Sequence, residues 1–273
     1  MADAALLDLL DAYYDAVPRG RATAEEIGPF TLFVASSGWP YYARPSRSAQ
    51  STATPDDVRQ VLARQRELGV PHSFEWVEET SPGLSATVEA AGIPVLHCPL
   101  LVLRGAPRGD AGSARMLGTD DLDDVVASRA ATSVGFSNAG TNTGSAGIEA
   151  RDASLESPHA QVDDTMLAGL AEGSLRLAAV YDPDAPELGP VGGGSHSPVD
   201  QVTEIVGVAV LPAYRRRGMG AQLTYVLATD ALTRSVTTVF CSAMSDDVAR
   251  VYEAIGFERV ATACIAEAGS HGH

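Results

Sequence analysis

Residues 208–221 read VAVLPAYRRRGMGA, and this stretch decides the fold of the chain. Val206, Val208 and Val210 stand at every second position, which is the spacing of a strand with one buried face. Pro212 ends that pattern because a proline cannot donate to a strand ladder. The segment therefore predicts a strand that stops at residue 211.

A tight basic turn follows this strand. Gly218 and Gly220 stand at the turn, and residues 221–228 resume the apolar spacing of a helix. Without Cβ atoms, the turn lets an anion approach amides that the helix N-terminus orients and polarises. The candidate donors are the backbone amides of Arg216, Arg217, Gly218, Met219, Gly220 and Ala221, and Arg215 adds a third positive charge. The pattern predicts a cradle for a diphosphate group.

Two common nucleotide-binding motifs do not fit this turn. The P-loop requires Gly-x-x-x-x-Gly-Lys-[Ser/Thr], and the chain contains no lysine. The Rossmann fingerprint requires a third glycine and an acidic residue after the next strand, but that strand is predicted to end in Cys241-Ser242. Neither motif explains the turn.

The pattern Arg-x-x-Gly-x-Gly over residues 215–220 resembles the acyl-CoA-binding signature of the GNAT superfamily of N-acetyltransferases. Residues 204–210, just before it, are similar to the strand that carries a general-base glutamate in histone-type members of that superfamily, here Glu204.

A second signature lies downstream. Residues 246–257, DDVARVYEAIGF, look like the family pattern Asn-x-x-Ala-x-x-Leu-Tyr-x-x-x-Gly-Phe, with Asp246 where asparagine is usual. The family's order of elements extends the resemblance to residues 113–268.

This resemblance implies an α/β fold of the α+β type, with a mixed, mostly antiparallel sheet flanked by helices. It implies acetyl-CoA as the acyl donor, a small-molecule amine as the acceptor, and direct attack of the amine without a metal. Backbone amides near Val208 and Val210 would hold the pantetheine arm, with Asp246 as a further contact to the cofactor. Glu204 would be the base and Tyr252 the acid.

Structural alternatives stand beside these roles. Glu204 also fits an exposed glutamate at a strand end, and Tyr252 fits a core tyrosine with a bonded hydroxyl. The alternative for the whole protein is a non-catalytic acyl-CoA sensor or scaffold, although the presence of both residues favours the enzyme. Aminoglycoside, polyamine, amino acid and protein N-terminus all remain open as acceptors.

Bulk composition excludes several classes of function. With 273 residues and 45% hydrophobic content, the chain is expected to form one large or two small globular domains. A net charge of −16 argues against nucleic-acid binding and favours a cationic acceptor. No long apolar span and no signal-peptide pattern occur, so we expect a cytoplasmic protein without a membrane partner, and a homodimer stays open. Cys98, Cys241 and Cys264 show no Cys-x-x-Cys spacing, so we expect no disulfide framework and no metal site.

A Gly-, Pro- and Arg-rich linker at residues 106–112 divides the chain. Residues 1–105 form the expected N-terminal α/β domain, whose strand-helix-strand-helix-strand order mirrors the second half of a GNAT domain without its glycine signature. It is either a degenerate half-domain, as in tandem GNAT proteins, or an unrelated cap, and no chemistry is expected from it. Residues 113–268 are the expected acetyltransferase domain, and residues 269–273 a flexible tail.

Two further features stay open. The glycine-rich segment Gly135–Gly147 fits a mobile surface loop or the lining of the acceptor site. His196 lies without a partner at metal-ligand spacing and is a candidate for lining the acceptor site.

Overall fold

The computed structural model describes residues 3–35, 41–49 and 51–268. These residues divide into two compact units: the first holds the chain up to Leu100 and again from Val260 onward, and the second runs from Leu101 to Arg259. This division differs from the expected domain limits, because the C-terminal strand groups with the N-terminal residues. The tail expected at residues 269–273 lies outside the described residues.

Eight helices and eleven strands are defined within the described residues. The helices are, in chain order, α1 (Ala4–Arg19), α2 (Pro55–Leu68), α3 (Leu84–Ala90), α4 (Leu122–Ser137), α5 (Ile148–Asp152), α6 (Asp164–Glu172), α7 (Met219–Thr233) and α8 (Asp246–Ile255). The strands are β1 (Ala22–Ile27), β2 (Phe30–Ala35), β3 (Arg44–Pro45), β4 (Ser73–Val77), β5 (Val95–Leu103), β6 (Ala114–Leu117), β7 (Arg176–Tyr181), β8 (Pro190–His196), β9 (Val202–Val210), β10 (Thr238–Ser242) and β11 (Phe257–Glu267).

In the first unit, helix α2 forms where its local signals predict it. The Thr54 hydroxyl accepts a hydrogen bond from the amide of Asp57, whose carboxylate accepts one from the amide of Thr54. This capping box satisfies two amide groups at the helix start. Gly69 ends the helix in the left-handed conformation that favours glycine.

The strands of the first unit surround an apolar core. β1, β2 and β3 form an antiparallel sheet, and β4 pairs antiparallel with β11. The rings of Phe30 and Phe74 pack edge to face with centroids 5.4 Å apart. Ala43 makes a parallel bridge to Phe74, so the segment before α2 runs alongside β4. The predicted order of β2, α2, β4, α3 and β5 is confirmed.

The second unit carries a mixed sheet with the strand order β10-β9-β8-β7-β6. β9 and β10 are parallel, and the other neighbouring pairs are antiparallel. Helices α4 and α7 both pack on this sheet. The predicted fold class, a mixed and mostly antiparallel sheet flanked by helices, is confirmed.

A run of glycines in β8 lets both helices approach this sheet closely. A Cβ atom on Gly193 would lie 3.2 Å from the Cβ of Ser128 in α4, and one on Gly194 would lie 3.0 Å from Leu227 in α7. Because neighbouring strand residues point to opposite faces, α4 and α7 cover opposite faces. Gly192, Gly193 and Gly194 all belong to strand β8.

Within the described residues, no helix has both the length and the apolar composition needed to cross a membrane.

Candidate active site

Strand β9 carries a bulge in its middle. Opposite the single residue Gly194 of β8, β9 places two residues, Gly207 and Val208. The pairs on either side are Gly193 with Ala209 and Ser195 with Val206. Gly207 has φ +68°, a left-handed conformation that glycine adopts without strain. The bulge bends β9 just before the glycine-arginine turn.

The other edge of β9 opens where β10 leaves it. The parallel register runs from Val202 with Thr238 to Glu204 with Phe240, and both strands continue beyond that point. The amide of Leu211, just after β9, donates to the carbonyl of Val191 in β8. Since successive amides of an extended strand alternate in direction, the amides of Val208 and Val210 point toward the opened side.

The turn before α7 presents the start of that helix without a side-chain cap. Arg216 and Gly218 have φ +64° and +78°, and no side chain caps α7 at Gly218. The amides of Ala221 and Gln222 both donate to the carbonyl of Gly218. The amides before Ala221 have no carbonyl one turn earlier in the helix, which is the arrangement that binds anions.

Arg215 contacts backbone carbonyls through its side chain. Its Nη2 lies 2.8 Å from the carbonyl oxygens of Gly135 and Asn138, Nη1 lies 3.3 Å from that of Asn142, and Nε lies 3.2 Å from that of Val210. Burial lowers the pKa of the guanidinium. Sequence reasoning placed its charge beside the diphosphate, but in the structure this side chain ties the end of α4 to the end of β9.

The other two arginines differ in their surroundings. Arg217 pairs with Asp182 at 3.4 Å, and its guanidinium lies 5.2 Å from the centre of the Tyr214 ring. Arg216 is exposed, and its side chain forms no ion pair or hydrogen bond with any residue in the described ranges. Arg216 is thus the arginine best placed to supply charge at the turn.

Glu204, Cys241 and Tyr252 form a buried group beside the opened edge. Glu204 is 9% exposed, so it is not the exposed strand-end glutamate that sequence left open. Burial raises the pKa of Tyr252, and the nearby Cys241 and Glu204 raise it further. Burial and Glu204 also raise the pKa of the Cys241 thiol. The Tyr252 ring packs against Phe257 with centroids 5.9 Å apart, and its phenol stays protonated at neutral pH.

Asp246 is the first residue of α8, and its side chain is paired within the protein. Its carboxylate accepts a hydrogen bond from Arg259 at 2.6 Å. Ser245 is the N-cap instead, and its hydroxyl accepts from the amide of Val248. The signature asparagine stands seven residues before the tyrosine, and seven residues before Tyr252 is Ser245. The polar group at this helix start is therefore the hydroxyl of Ser245.

His196 belongs to a buried network that sequence reasoning missed. Its Nδ1 lies 3.2 Å from the Thr203 hydroxyl and its Nε2 3.1 Å from an Asp230 carboxylate oxygen. Arg176 and Arg234 also bind Asp230. Because His196 is fully buried and bonded at both ring nitrogens, it does not line an open acceptor site. The network draws on β7, β8, β9 and α7, so no local spacing in the sequence indicates it.

The glycine-rich segment after α4 contacts the loop between β9 and α7. The amide of Gly144 donates to the carbonyl of Pro212, and the amide of Ala213 donates to the carbonyl of Ala146. The segment therefore lies beside the candidate site and is hydrogen-bonded to it.

A cavity of about 310 Å³ borders the start of α7 and is lined in part by Asp182, Arg217 and Met219. Its lining does not include Glu204 or Tyr252. The acidic side chain beside Arg217 makes this cavity a poor place for a phosphate.

Comparison with known proteins finds a match to one family over part of the chain. Residues 148–257 match the family model described as the acetyltransferase (GNAT) family. This range includes β9, the glycine-arginine turn and α8. No curated protein matches the chain.

Several solved structures share the fold across nearly the whole chain. A GCN5-related N-acetyltransferase from Kribbella flavida matches with a TM-score of 0.63 and 20% identity, covering 97% of this chain and 96% of that one. A GCN5-related N-acetyltransferase-like protein from Streptococcus suis 89/1591 matches with a TM-score of 0.54 and 11% identity, covering 97% and 98%. A GNAT-family protein from Novosphingobium aromaticivorans DSM 12444 matches with a TM-score of 0.52 and 16% identity, covering 92% and 93%. The likeness of fold includes the first unit, which agrees with its interpretation as a half-GNAT domain.

Proposed function

Because residues 148–257 match the model of the acetyltransferase (GNAT) family, we propose that the protein transfers an acyl group, acetyl in the first instance, from acyl-CoA to a primary amine. The observation that carries the proposal is the opened edge of β9 leading directly into the uncapped start of α7. The opened edge of β9 can hold an extended arm that carries amide groups, and the start of α7 can hold an anion. Acyl-CoA contains both groups.

The diphosphate is proposed to lie on the amides of Arg216 to Ala221. The helix start contributes oriented donors, and the exposed Arg216 contributes charge. Beyond it, the pantetheine arm would follow the amides of Val208 and Val210 along β9. Val206 is 41% exposed and Met244, which follows β10, is 57% exposed, so both offer apolar surface for the arm.

The chemical step needs a neutral amine and a proton for the leaving sulfur. We assign Glu204 as the base that removes a proton from the ammonium, directly or through water. The neutral amine nitrogen then attacks the thioester carbonyl, and the carbon–sulfur bond breaks as the Tyr252 hydroxyl protonates the departing thiolate. The second proton that the nitrogen loses returns to the Tyr252 oxygen, which leaves the amide and free CoA. The Tyr252 phenol is protonated at neutral pH, because burial raises its pKa, so it carries the proton that this role requires.

The acceptor is proposed to be a cationic small molecule, because the net charge of the chain is −16. A non-catalytic acyl-CoA sensor would use the same cradle and would need neither Glu204 nor Tyr252. Acetylation of an amine by the bound acyl-CoA would distinguish the enzyme from the sensor.

Acetyl-CoA titration followed by an amine-acceptor panel tests the function. Gly220→Asp places a carboxylate at the second residue of α7, where no heavy atom lies within 4 Å of an added Cβ, so the fold tolerates it. Repulsion of the diphosphate should weaken acetyl-CoA binding by roughly 10-fold or more. Gly220→Asn is the control of equal size and should weaken it far less. Equal affinity of both variants and the parent would refute the cradle, and tight binding without turnover of any amine would favour the sensor.

A further inference from the structure

The first unit contains a cluster of potential metal ligands outside the two GNAT motifs. Donor atoms of Glu78, His97 and Cys264 all lie within 4.8 Å of one another. Glu78 directly follows β4, His97 lies on β5, and Cys264 lies on β11 opposite Trp76 of β4. All three belong to the first unit, and Glu78 and His97 fall within residues 1–105, from which the sequence analysis expected no chemistry.

One carboxylate oxygen collects three hydrogen bonds in this cluster. Oε2 of Glu78 accepts from the Trp76 indole at 3.2 Å, from the Ser85 hydroxyl at 2.5 Å and from the Cys264 thiol at 3.4 Å. A carboxylate surrounded in this way concentrates negative charge among groups that themselves bind metals once deprotonated. The Trp76 indole can keep its hydrogen bond when the carboxylate binds a metal, and it would then orient that carboxylate.

The distances fit the ligand polyhedron of a small cation. The Ser85 Oγ lies 3.3 Å from His97 Nε2 and 3.7 Å from Cys264 Sγ, in addition to its contact with Glu78. A tetrahedral zinc ion with bonds of about 2.0–2.3 Å separates its ligand atoms by roughly 3.3–3.7 Å. The Glu78–Cys264, Ser85–His97 and Ser85–Cys264 separations lie in that range, and small side-chain rotations would bring the others into it.

We propose that Glu78, His97 and Cys264 bind one zinc ion, with the Ser85 hydroxyl or a water molecule in the fourth position. The set of one nitrogen, one sulfur and one carboxylate oxygen suits zinc better than the all-oxygen sites of calcium or magnesium. Cys264 is fully buried while His97 is exposed, so the site has a fixed base and an open side. The proposal departs from the expectation of no metal, which rested on the absence of Cys-x-x-Cys spacing.

Cobalt and zinc titrations of the full-length chain test the site. His271 and His273 are first replaced by glutamine, because two histidines near the end of the sequence bind metals on their own. In that background, one equivalent of Co²⁺ should produce a near-ultraviolet thiolate-to-cobalt absorption band, and zinc should displace it. Cys264→Ser should abolish the band, and His97→Gln should weaken zinc binding roughly 10-fold or more. Cys98→Ser and His159→Gln are the matched controls and should change neither.

Because His97 is exposed, its replacement should leave the fold intact, so the test does not depend on Cys264→Ser folding. If Cys264→Ser does not fold, the folded His97→Gln variant still decides, with circular dichroism as the check. At one fixed zinc concentration, the rise in melting temperature should be clearly smaller for His97→Gln than for the parent background. A band that survives in folded Cys264→Ser, or zinc affinity unchanged in His97→Gln, would overturn the proposal. These readouts do not involve acyl transfer and are independent of the proposed function.

Discussion

Glu204 lies opposite Phe240 in the final pair of the parallel register between β9 and β10. The carboxylate therefore stands where the two strands begin to separate. A group in this position can reach a molecule held between the strands while its own backbone stays within the sheet. This relationship is why the burial of Glu204 is compatible with a chemical role.

Loss of the Tyr252 hydroxyl tests the proposed acid. Tyr252→Phe keeps the packing against Phe257 and should lower kcat by roughly 10²–10⁴-fold, because the leaving thiolate loses its proton donor. Acetyl-CoA affinity should stay unchanged. Steady-state kinetics with a verified amine acceptor measures this, and Tyr225→Phe is a control on the half-buried face of α7. Parent-like turnover in Tyr252→Phe would rule out the assignment.

Loss of the Glu204 charge should produce a pH-dependent defect. Glu204→Gln should reduce kcat roughly 10²-fold or more at pH 7, where a primary amine of pKa near 10.4 is almost fully protonated. The defect should shrink as pH rises, because more of the amine is then neutral in solution. Glu258→Gln, at a carboxylate that is 67% exposed, is the control. A deficit equally large at pH 7 and pH 9.5 would contradict the role as base.

The hydrogen bonds from the Arg215 side chain to backbone carbonyls should keep the segment after α4 ordered. Arg215→Lys loses the planar set of donors to Gly135 and Asn138 and should cost about 2 kcal/mol of local stability. Peptides spanning residues 138–144 should exchange their amide hydrogens faster. Arg216→Lys should leave this exchange unchanged. If the two variants exchange alike, the clamp assigned to Arg215 is wrong.

The network at Asp230 should make α7 sensitive to acid. Burial alone would raise the Asp230 pKa, but hydrogen bonds from His196, Arg176 and Arg234 outweigh it and hold the pKa well below its usual value. Its contribution is therefore complete above about pH 4 and is lost as pH falls further. Asp230→Asn should destabilise the second unit by about 3 kcal/mol at pH 7.

Urea titrations followed by hydrogen exchange of α7 peptides measure this effect. The gap between the parent and Asp230→Asn should narrow at pH 3. Asp247→Asn breaks an exposed ion pair with Arg250 and should cost little at either pH. A gap that widens on acidification would contradict the depressed pKa.

Local signals predicted the elements that build the cradle. Pro212, Gly218 and Gly220 set the end of β9 and the start of α7 through backbone geometry that adjacent residues dictate. The Thr54 cap of α2 is likewise set by adjacent residues, and it distinguishes the start of α2 from that of α7. At the start of α2 the Thr54 hydroxyl already binds a backbone amide, and the carboxylates of Asp56 and Asp57 would repel an anion. At the start of α7 no side chain occupies the corresponding position.

Side-chain partners drawn from distant segments were not predictable. Arg215 was expected at a diphosphate, and only the folded chain brings the carbonyls of Gly135 and Asn138 to it. His196 meets Asp230 across 34 residues, and Glu78 meets Cys264 across 186. Such contacts follow from strand order and helix packing, which one sequence does not encode in any short spacing.

The division of the chain inside β5 and β11 bears on the order of events during synthesis. Residues 101–259 leave the ribosome before residue 260, so the second unit has all of its residues first. The first unit, although it begins the chain, lacks the strand that pairs Cys264 with Trp76 until synthesis has passed residue 264. The edge of β4 that pairs with β11 therefore has no partner strand while the whole second unit is translated. Residues of β4, although made early, are among the last to form their sheet hydrogen bonds.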